Sequence, residues 1–250
     1  MNLLKKILHR VMSFQDLPTE ASQDLPTGIT RKLIADKYLS GNGIEIGALH
    51  NPLPVSKNTA VRYVDRMPVS DLKTHYPELA RYNLVDIDIV DDGESLHTVK
   101  NDTQDFVIAN HFIEHCKNPI AAIISMFRVL KSGGIIYLAI PDKRYNFDKI
   151  RENTSFDHLA IDHRQGPSVS KKKHFEEWTL SWNQITDPEK AKKRVEYLMG
   201  IDYSIHYHVW TSDTFLDFLF CLKKEFLSDF QVLLFLQNED ECITILKKGY

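Results

Sequence analysis

From residue 29 onward the chain alternates between two hydrophobic periodicities. The segment ITRKLIADKYLS carries apolar residues at helical spacing and ends at Gly41, whereas GIEIGA, just after it, reads as a strand. AVRYVDR predicts a second strand ending at Asp65, YNLVDIDIVDD a third, and DFVIANHF a fourth that begins at Asp105. NPIAAIISMFRVLKSGG predicts a helix: Pro119 suits its first turn, Lys131 sits near its end, and Gly133 with Gly134 stops it. GIIYLAIPD follows as a fifth strand, apolar enough to be covered on both faces. Strands alternating with helices predict a parallel sheet wound through right-handed crossovers.

Between about residues 143 and 210 this rhythm breaks. The stretch holds His158, His163, His206 and His208, the basic run KKKH at 171–174, and Trp178, Trp182 and Trp210. It predicts a mostly helical insertion over the carboxyl edge of the sheet, where open α/β sheets bind their ligands. Regular structure then resumes. TSDTFLDFLFCLKKEF has an N-cap in Thr211 or Ser212 and an apolar face, so it predicts a helix. FQVLLFLQ and ECITILKK are strands joined by so short a link that they must run antiparallel.

Composition narrows the picture modestly. At 250 residues the chain can bury the core of one large domain with an insertion. A net charge of −3 argues against a nucleic-acid partner, which calls for a basic excess. Cys116, Cys221 and Cys242 lie far apart, as reduced thiols in the cytoplasm do. The start, MNLLKKILHRVMSF, predicts an amphipathic helix with a basic polar face. Such a helix suits an anionic membrane surface, peripherally at its inner face, and equally suits packing on its own domain or a partner chain. It lacks the apolar core and cleavage site of a secretory signal. QDLPT, repeated at 15–19 and 23–27, reads as a linker, so residues 1–28 precede a domain spanning 29–250.

Five stretches in order, IEIGA, VRYVD, DDGESL, DFVIANHFIEHCKNP and FRVLKSGGIIYLAIPD, resemble the motifs of class I S-adenosylmethionine-dependent methyltransferases. The resemblance covers residues 40 to 141 and returns for the final hairpin. It implies a Rossmann-like α/β fold, a mostly parallel seven-stranded sheet with a C-terminal antiparallel hairpin, and S-adenosyl-L-methionine as cofactor. On that reading Gly47 allows close backbone approach, with Ala48 beside it, and Glu45 binds the cofactor's ammonium. Asp65 accepts from the ribose diol, with Arg66 next to it. Asp92, Gly93 and Glu94 lie against the adenine, and Asn110 and His111 face the methionine end. The loop GIEIGALHNPLP departs from a phosphate cradle in having Leu49 and Asn51 where glycines would stand. A cofactor without phosphate needs only one close approach, at Gly47, and Asn51 can take the left-handed conformation a glycine would provide.

Many acceptors need a general base, and histidine suits the role. His111 and His115 follow the fourth strand, at the expected methyl site. The insertion supplies rivals in His158, His163 and His208. His158 and Asp162 share a helix face, and His206 and His208 share one side of an extended segment. These histidines read as bases, acceptor contacts or core residues; as a pair with nearby carboxylates they also have the character of metal donors, but no metal site is assigned. Asp142, Arg144, Tyr145, His206 and Trp210 are expected at the acceptor mouth. IPDKRYNFD resembles a stretch found in methyltransferases that accompany surface-polysaccharide enzymes. That points to O-methylation of a sugar or sugar-linked phosphate, a small-molecule or glycan acceptor of capsule or lipopolysaccharide assembly. Two other readings stay open: a binding module that kept the fold and lost the chemistry, and an NAD-dependent oxidoreductase, against which the missing glycines and antiparallel tail both speak.

Overall fold

The computed structural model describes residues 29–249. The helix, linker and membrane-surface expectations for residues 1–28 lie outside the described residues. Seven strands form one sheet: β1 (Gly41–Ile46), β2 (Thr59–Asp65), β3 (Ile89–Val90), β4 (Gln104–Asn110), β5 (Leu130–Pro141), β6 (Phe230–Asn238) and β7 (Glu241–Lys248). Their order is β3-β2-β1-β4-β5-β7-β6. The first five are parallel. β7 pairs antiparallel with both β5 and β6, as the short link predicts. This is the expected Rossmann-like sheet with its terminal hairpin.

Helices cover both faces. They are α1 (Arg31–Tyr38), α2 (Val69–His75), α3 (Pro119–Val129), α4 (Phe156–Gln165), α5 (Lys171–Ser181), α6 (Pro188–Gly200) and α7 (Ser212–Glu225). Alternation along β4 divides the core: Phe106 and Ile108 join α1's Ile34 and Ala35, while Val107 and Ala109 join Ile123 of α3 and Phe215 of α7. With both faces covered, an unbroken apolar run is what a central strand requires.

Two elements differ from the sequence expectation. The third strand is only two residues long, because the Asp88 carboxylate accepts from the Tyr63 N–H and stands in for ladder pairing. The helix expected to run to the glycine pair ends at Val129, and Lys131, Gly133 and Gly134 belong to β5. Its last carbonyls, on Arg128 and Val129, accept from the N–H groups of Asp102 and Thr103, so no glycine cap is needed. Gly134 serves packing instead: a Cβ there would lie 2.9 Å from the Lys131 carbonyl oxygen and 3.2 Å from that of Asp105.

The chain leaves the sheet at Asp142 and returns at Trp210, where the two residues form a parallel bridge. Between them lie α4, α5 and α6, with a separate apolar cluster that includes Phe175, Trp178 and Leu198. The buried Asp142 carboxylate closes this loop, accepting from Ser212 N–H and Oγ at 2.9 Å each and from the Arg144 guanidinium at 2.6 Å. Among the described residues no helix is long and apolar enough to cross a membrane. Asp142→Ala is expected to lower unfolding stability by about 2–3 kcal/mol, the range for charged hydrogen bonds, in urea titrations. An unchanged midpoint would show that the closure carries no stability.

Candidate functional site

The carboxyl ends of β1, β2, β4 and β5 open into one cleft of about 2060 Å³. Pockets for a single small ligand usually hold about 300–1,000 Å³, so this cleft has room for two. Its first wall is the turn after β1. Gly47 has φ +65°, and a Cβ there would meet only the Phe112 ring, at 3.9 Å, so the backbone faces open space. Leu49, not Asn51, takes the left-handed conformation, with φ 51°; its carbonyl accepts from Val85 and its side chain packs near Leu72. Glu45, Gly47 and Ala48 all line the cleft. The Glu45 carboxylate accepts the Leu53 N–H with both oxygens, at 3.0 and 3.1 Å, and burial pushes its pKa up to about 7.

Asp65 ends β2 on the cleft wall. Burial raises its pKa to about 6, against the bond it accepts from the Arg66 N–H at 2.7 Å. The Arg66 guanidinium turns to Tyr76, to His75 Nε2 at 3.1 Å and to the Asp202 carbonyl at 3.2 Å. Asp92, Gly93 and Glu94 also line the cleft. Gly93 is required by packing, since a Cβ would lie 2.5 Å from Ile46 Cγ2 and 2.8 Å from Phe112 Cζ. The Asp92 carboxylate accepts from the Glu94 N–H. Glu94 itself accepts from the N–H groups of Lys117 and Asn118, both at 2.9 Å, and so holds the start of α3 rather than reaching for an adenine.

The end of β4 carries the most chemistry. Asn110 presents a side-chain amide whose buried oxygen and nitrogen have no hydrogen-bond partner. His111 follows with φ 48°, a conformation in which its N–H still donates to the Ala139 carbonyl. Its side chain is 43% exposed, toward the cleft. Nε2 lies 2.9 Å from Glu241 Oε2 and 2.9 Å from Arg31 Nη2, and Nδ1 lies 3.8 Å from Glu114 Oε1. Glu241 is in turn clamped by Arg31 through Nε at 2.8 Å and a second, shorter bond. Partial desolvation by the surrounding protein and the nearby Arg31 work against the His111 cation, but the Glu241 hydrogen bond and the two carboxylates outweigh them, so the pKa is raised. Glu241, despite its burial, is drawn down to about 2 by Arg31 and His111.

His115 also lines the cleft, but its Nδ1 donates to the Ile205 carbonyl at 2.9 Å and burial drives its pKa far down. His206 lines it too, 2.6 Å through Nδ1 from the Asp148 carboxylate. Arg144 and Tyr145 face the cleft, the guanidinium stacking 5.6 Å from the phenol ring.

Several expected residues lie elsewhere. Asp142 is consumed by Arg144 and Ser212, and Trp210 is core, packed on Phe215 and Phe218. His163 faces Asn118 and Phe226 on the side of α3. His158 and His208 pack together on the far side of the 204–209 segment. That segment is irregular rather than a strand, so His206 and His208 go to different clusters instead of sharing a side. Conversely, Arg31 and Glu241 were not singled out from the sequence, nor was the stacked pair His50 and Tyr82, 3.9 Å apart on the cleft wall.

A family model described as a methyltransferase domain matches residues 27–215, most of the chain. Among solved structures, a methyltransferase from Methanosarcina mazei is similar at 15% identity and a TM-score of 0.45, over 85% of this chain and 95% of that one. An S-adenosylmethionine-dependent methyltransferase from Thermotoga maritima matches at 15% identity and 0.42, over 84% and 83%. A Rhodobacter sphaeroides chain described as a zinc-dependent alcohol dehydrogenase matches at 13% and 0.49, over 85% and 86%. No curated protein matches. The cleft fits the cofactor of the matched family. Asp65 is an acid at a strand end whose burial favours neutral hydroxyl donors, Gly47 leaves its backbone open, and the unpartnered Asn110 amide awaits a polar ligand. The chain belongs to the methyltransferase domain family, and its cofactor is S-adenosylmethionine.

Proposed function

We propose that this protein methylates an oxygen of a sugar or sugar-linked phosphate acceptor in the cytoplasm, as a step of capsule or lipopolysaccharide assembly. The observation that carries this reading is His111, held by a buried carboxylate on the wall of a cleft large enough for two ligands. Asp65 would hold the ribose hydroxyls, Glu45 the ammonium group, and Asn110 the methionine end. The ionised form of Glu45, which burial alone disfavours, gains from a cation beside it. When bound, the cofactor supplies an electrophilic methyl group on a sulfonium.

The chain's own contribution is alignment and a base. With Nε2–H donated to Glu241, the His111 ring keeps a lone pair at Nδ1 for the acceptor hydroxyl's proton. Arg31 keeps Glu241 ionised, so the imidazolium that forms is stabilised where it stands. Acceptor recognition falls to residues 143–210. Tyr145, Phe147 and Trp182 offer aromatic faces for sugar rings, and Lys149 and Arg144 offer cations for a phosphate.

His111→Asn is expected to lower kcat by about 10²–10⁴-fold, with S-adenosylhomocysteine binding kept in calorimetry. Full turnover in that variant would remove His111 as the base. Because the base must be deprotonated and its pKa is raised, the acid limb of kcat/KM should have its midpoint above the ordinary histidine value of 6.5. Glu241→Gln removes the charge that raises it and leaves only a neutral acceptor, so the limb should move to lower pH; a stationary limb would break the link. Asp65→Asn should weaken S-adenosylhomocysteine binding by about 10–100-fold, the cost of charged hydrogen bonds, while leaving the fold intact.

A further inference from the structure

Away from the cleft, four side chains from three separate stretches of chain converge on one buried point. His158 and Asp162 come from successive turns of α4, His174 from the first turn of α5, and His208 from the irregular segment before α7. His158 Nε2 lies 3.1 Å from His174 Nε2 and 3.3 Å from Asp162 Oδ2, and His174 Nε2 lies 3.9 Å from the same oxygen. Donor nitrogens of the three histidines all lie within 4.8 Å of one another. None of the four residues lines the cleft.

We propose that His158, His174, His208 and Asp162 form a structural zinc site. Four nitrogen and oxygen donors around zinc, with bonds of about 2.0–2.1 Å, stand roughly 3.3–3.4 Å apart at the corners of a tetrahedron. The separations among His158, His174 and Asp162 bracket that value, and His208 stands within 4.8 Å of the other two histidines. The rings meet steeply, at 76°, 62° and 76° between planes, so they converge by their edges rather than stack. Burial makes the alternative costly. His208 is fully buried with neither ring nitrogen in a formed hydrogen bond, and His174 Nδ1 and Asp162 Oδ1 are buried and unpartnered as well. One proton shared between His158 and His174 would satisfy that pair and leave the remainder; a cation uses all the converging lone pairs at once.

The surroundings suit such a site. Ser170 Oγ donates to Asp162 Oδ2 at 2.6 Å. The Tyr207 backbone lies beside His174 and the Lys117 backbone beside His208, neither aligned as a formed hydrogen bond. Metal-bound imidazoles commonly turn their second nitrogen to a backbone carbonyl, which fixes the ring. In the sequence the donors are too scattered to form a ligand motif; the fold of residues 143–210 assembles them. A metal at this point would pin α4 and α5 to the segment whose neighbouring residues, His206 and Tyr207, line the cleft.

The test uses the full chain, purified without a metal-binding tag. Mass-spectrometric metal analysis should find about one zinc per chain, and Co²⁺ added after chelation should give the visible bands of a four-coordinate site. Zinc should also raise the melting temperature of the chelated protein. His158→Ala, at a partly exposed ring, should lower zinc affinity by on the order of 100-fold or more. His115→Ala, in the second group of donors formed by Glu114, His115 and His206, should keep the metal. Wild-type protein that is folded yet takes up neither zinc nor cobalt would overturn the proposal, with no variant needed. Metal kept in His158→Ala and lost in His115→Ala would overturn it too.

Discussion

The antiparallel pairing of β7 with β5 is the constraint on which the site depends. It sets Glu241 opposite Pro141, at the carboxyl end of the sheet, within reach of His111 at the end of β4. A parallel last strand would carry its first residue to the other edge. The hairpin thus delivers a buried carboxylate to a histidine 130 residues away in the chain. Arg31, the first residue of α1, completes the arrangement from the opposite terminus of the domain. Three elements from three parts of the sequence are held together by one charged cluster. Such a cluster is costly to bury, and Glu241 offsets that cost by pairing with both Arg31 and His111.

The buried acids of β1 and β2 behave differently from Glu241. Glu45 and Asp65 are pushed up by burial, to about 7 and about 6, because neither has a full ion-pair partner of its own. Glu241, paired twice, goes down to about 2. Environment separates carboxylates of similar chemistry into two kinds, one held ionised by its partners and one pushed up by burial.

What the sequence made legible was local. The alternation of strands and helices, the antiparallel hairpin, and the places of Gly47, Asp65 and Asn110 at strand ends follow from short motifs whose meaning depends on neighbours a few residues away. The partners of His111 were not legible, since Glu241 reaches it only through the register of β7 on β5. The spacing of His158 and Asp162 correctly put both on one helix face, yet periodicity does not say what that face meets; it meets His174 and His208, not the cleft. Asp142 and Trp210 sit at the junction where the 143–210 segment leaves and rejoins the sheet, so their apparent place at the mouth is structural. Asn51 looked like the glycine substitute because asparagine tolerates the left-handed region, but packing of the Leu49 side chain chose Leu49 instead.

The measurement that tests the central claim most directly is transfer of the methyl group itself. The full chain would be incubated with S-adenosylmethionine carrying a trideuterated methyl and with glycan precursors from cells lacking the protein. The deuterated methyl is expected on a sugar or sugar-linked phosphate oxygen, found by mass spectrometry. Tight binding of S-adenosylhomocysteine with no label on any glycan precursor would contradict it.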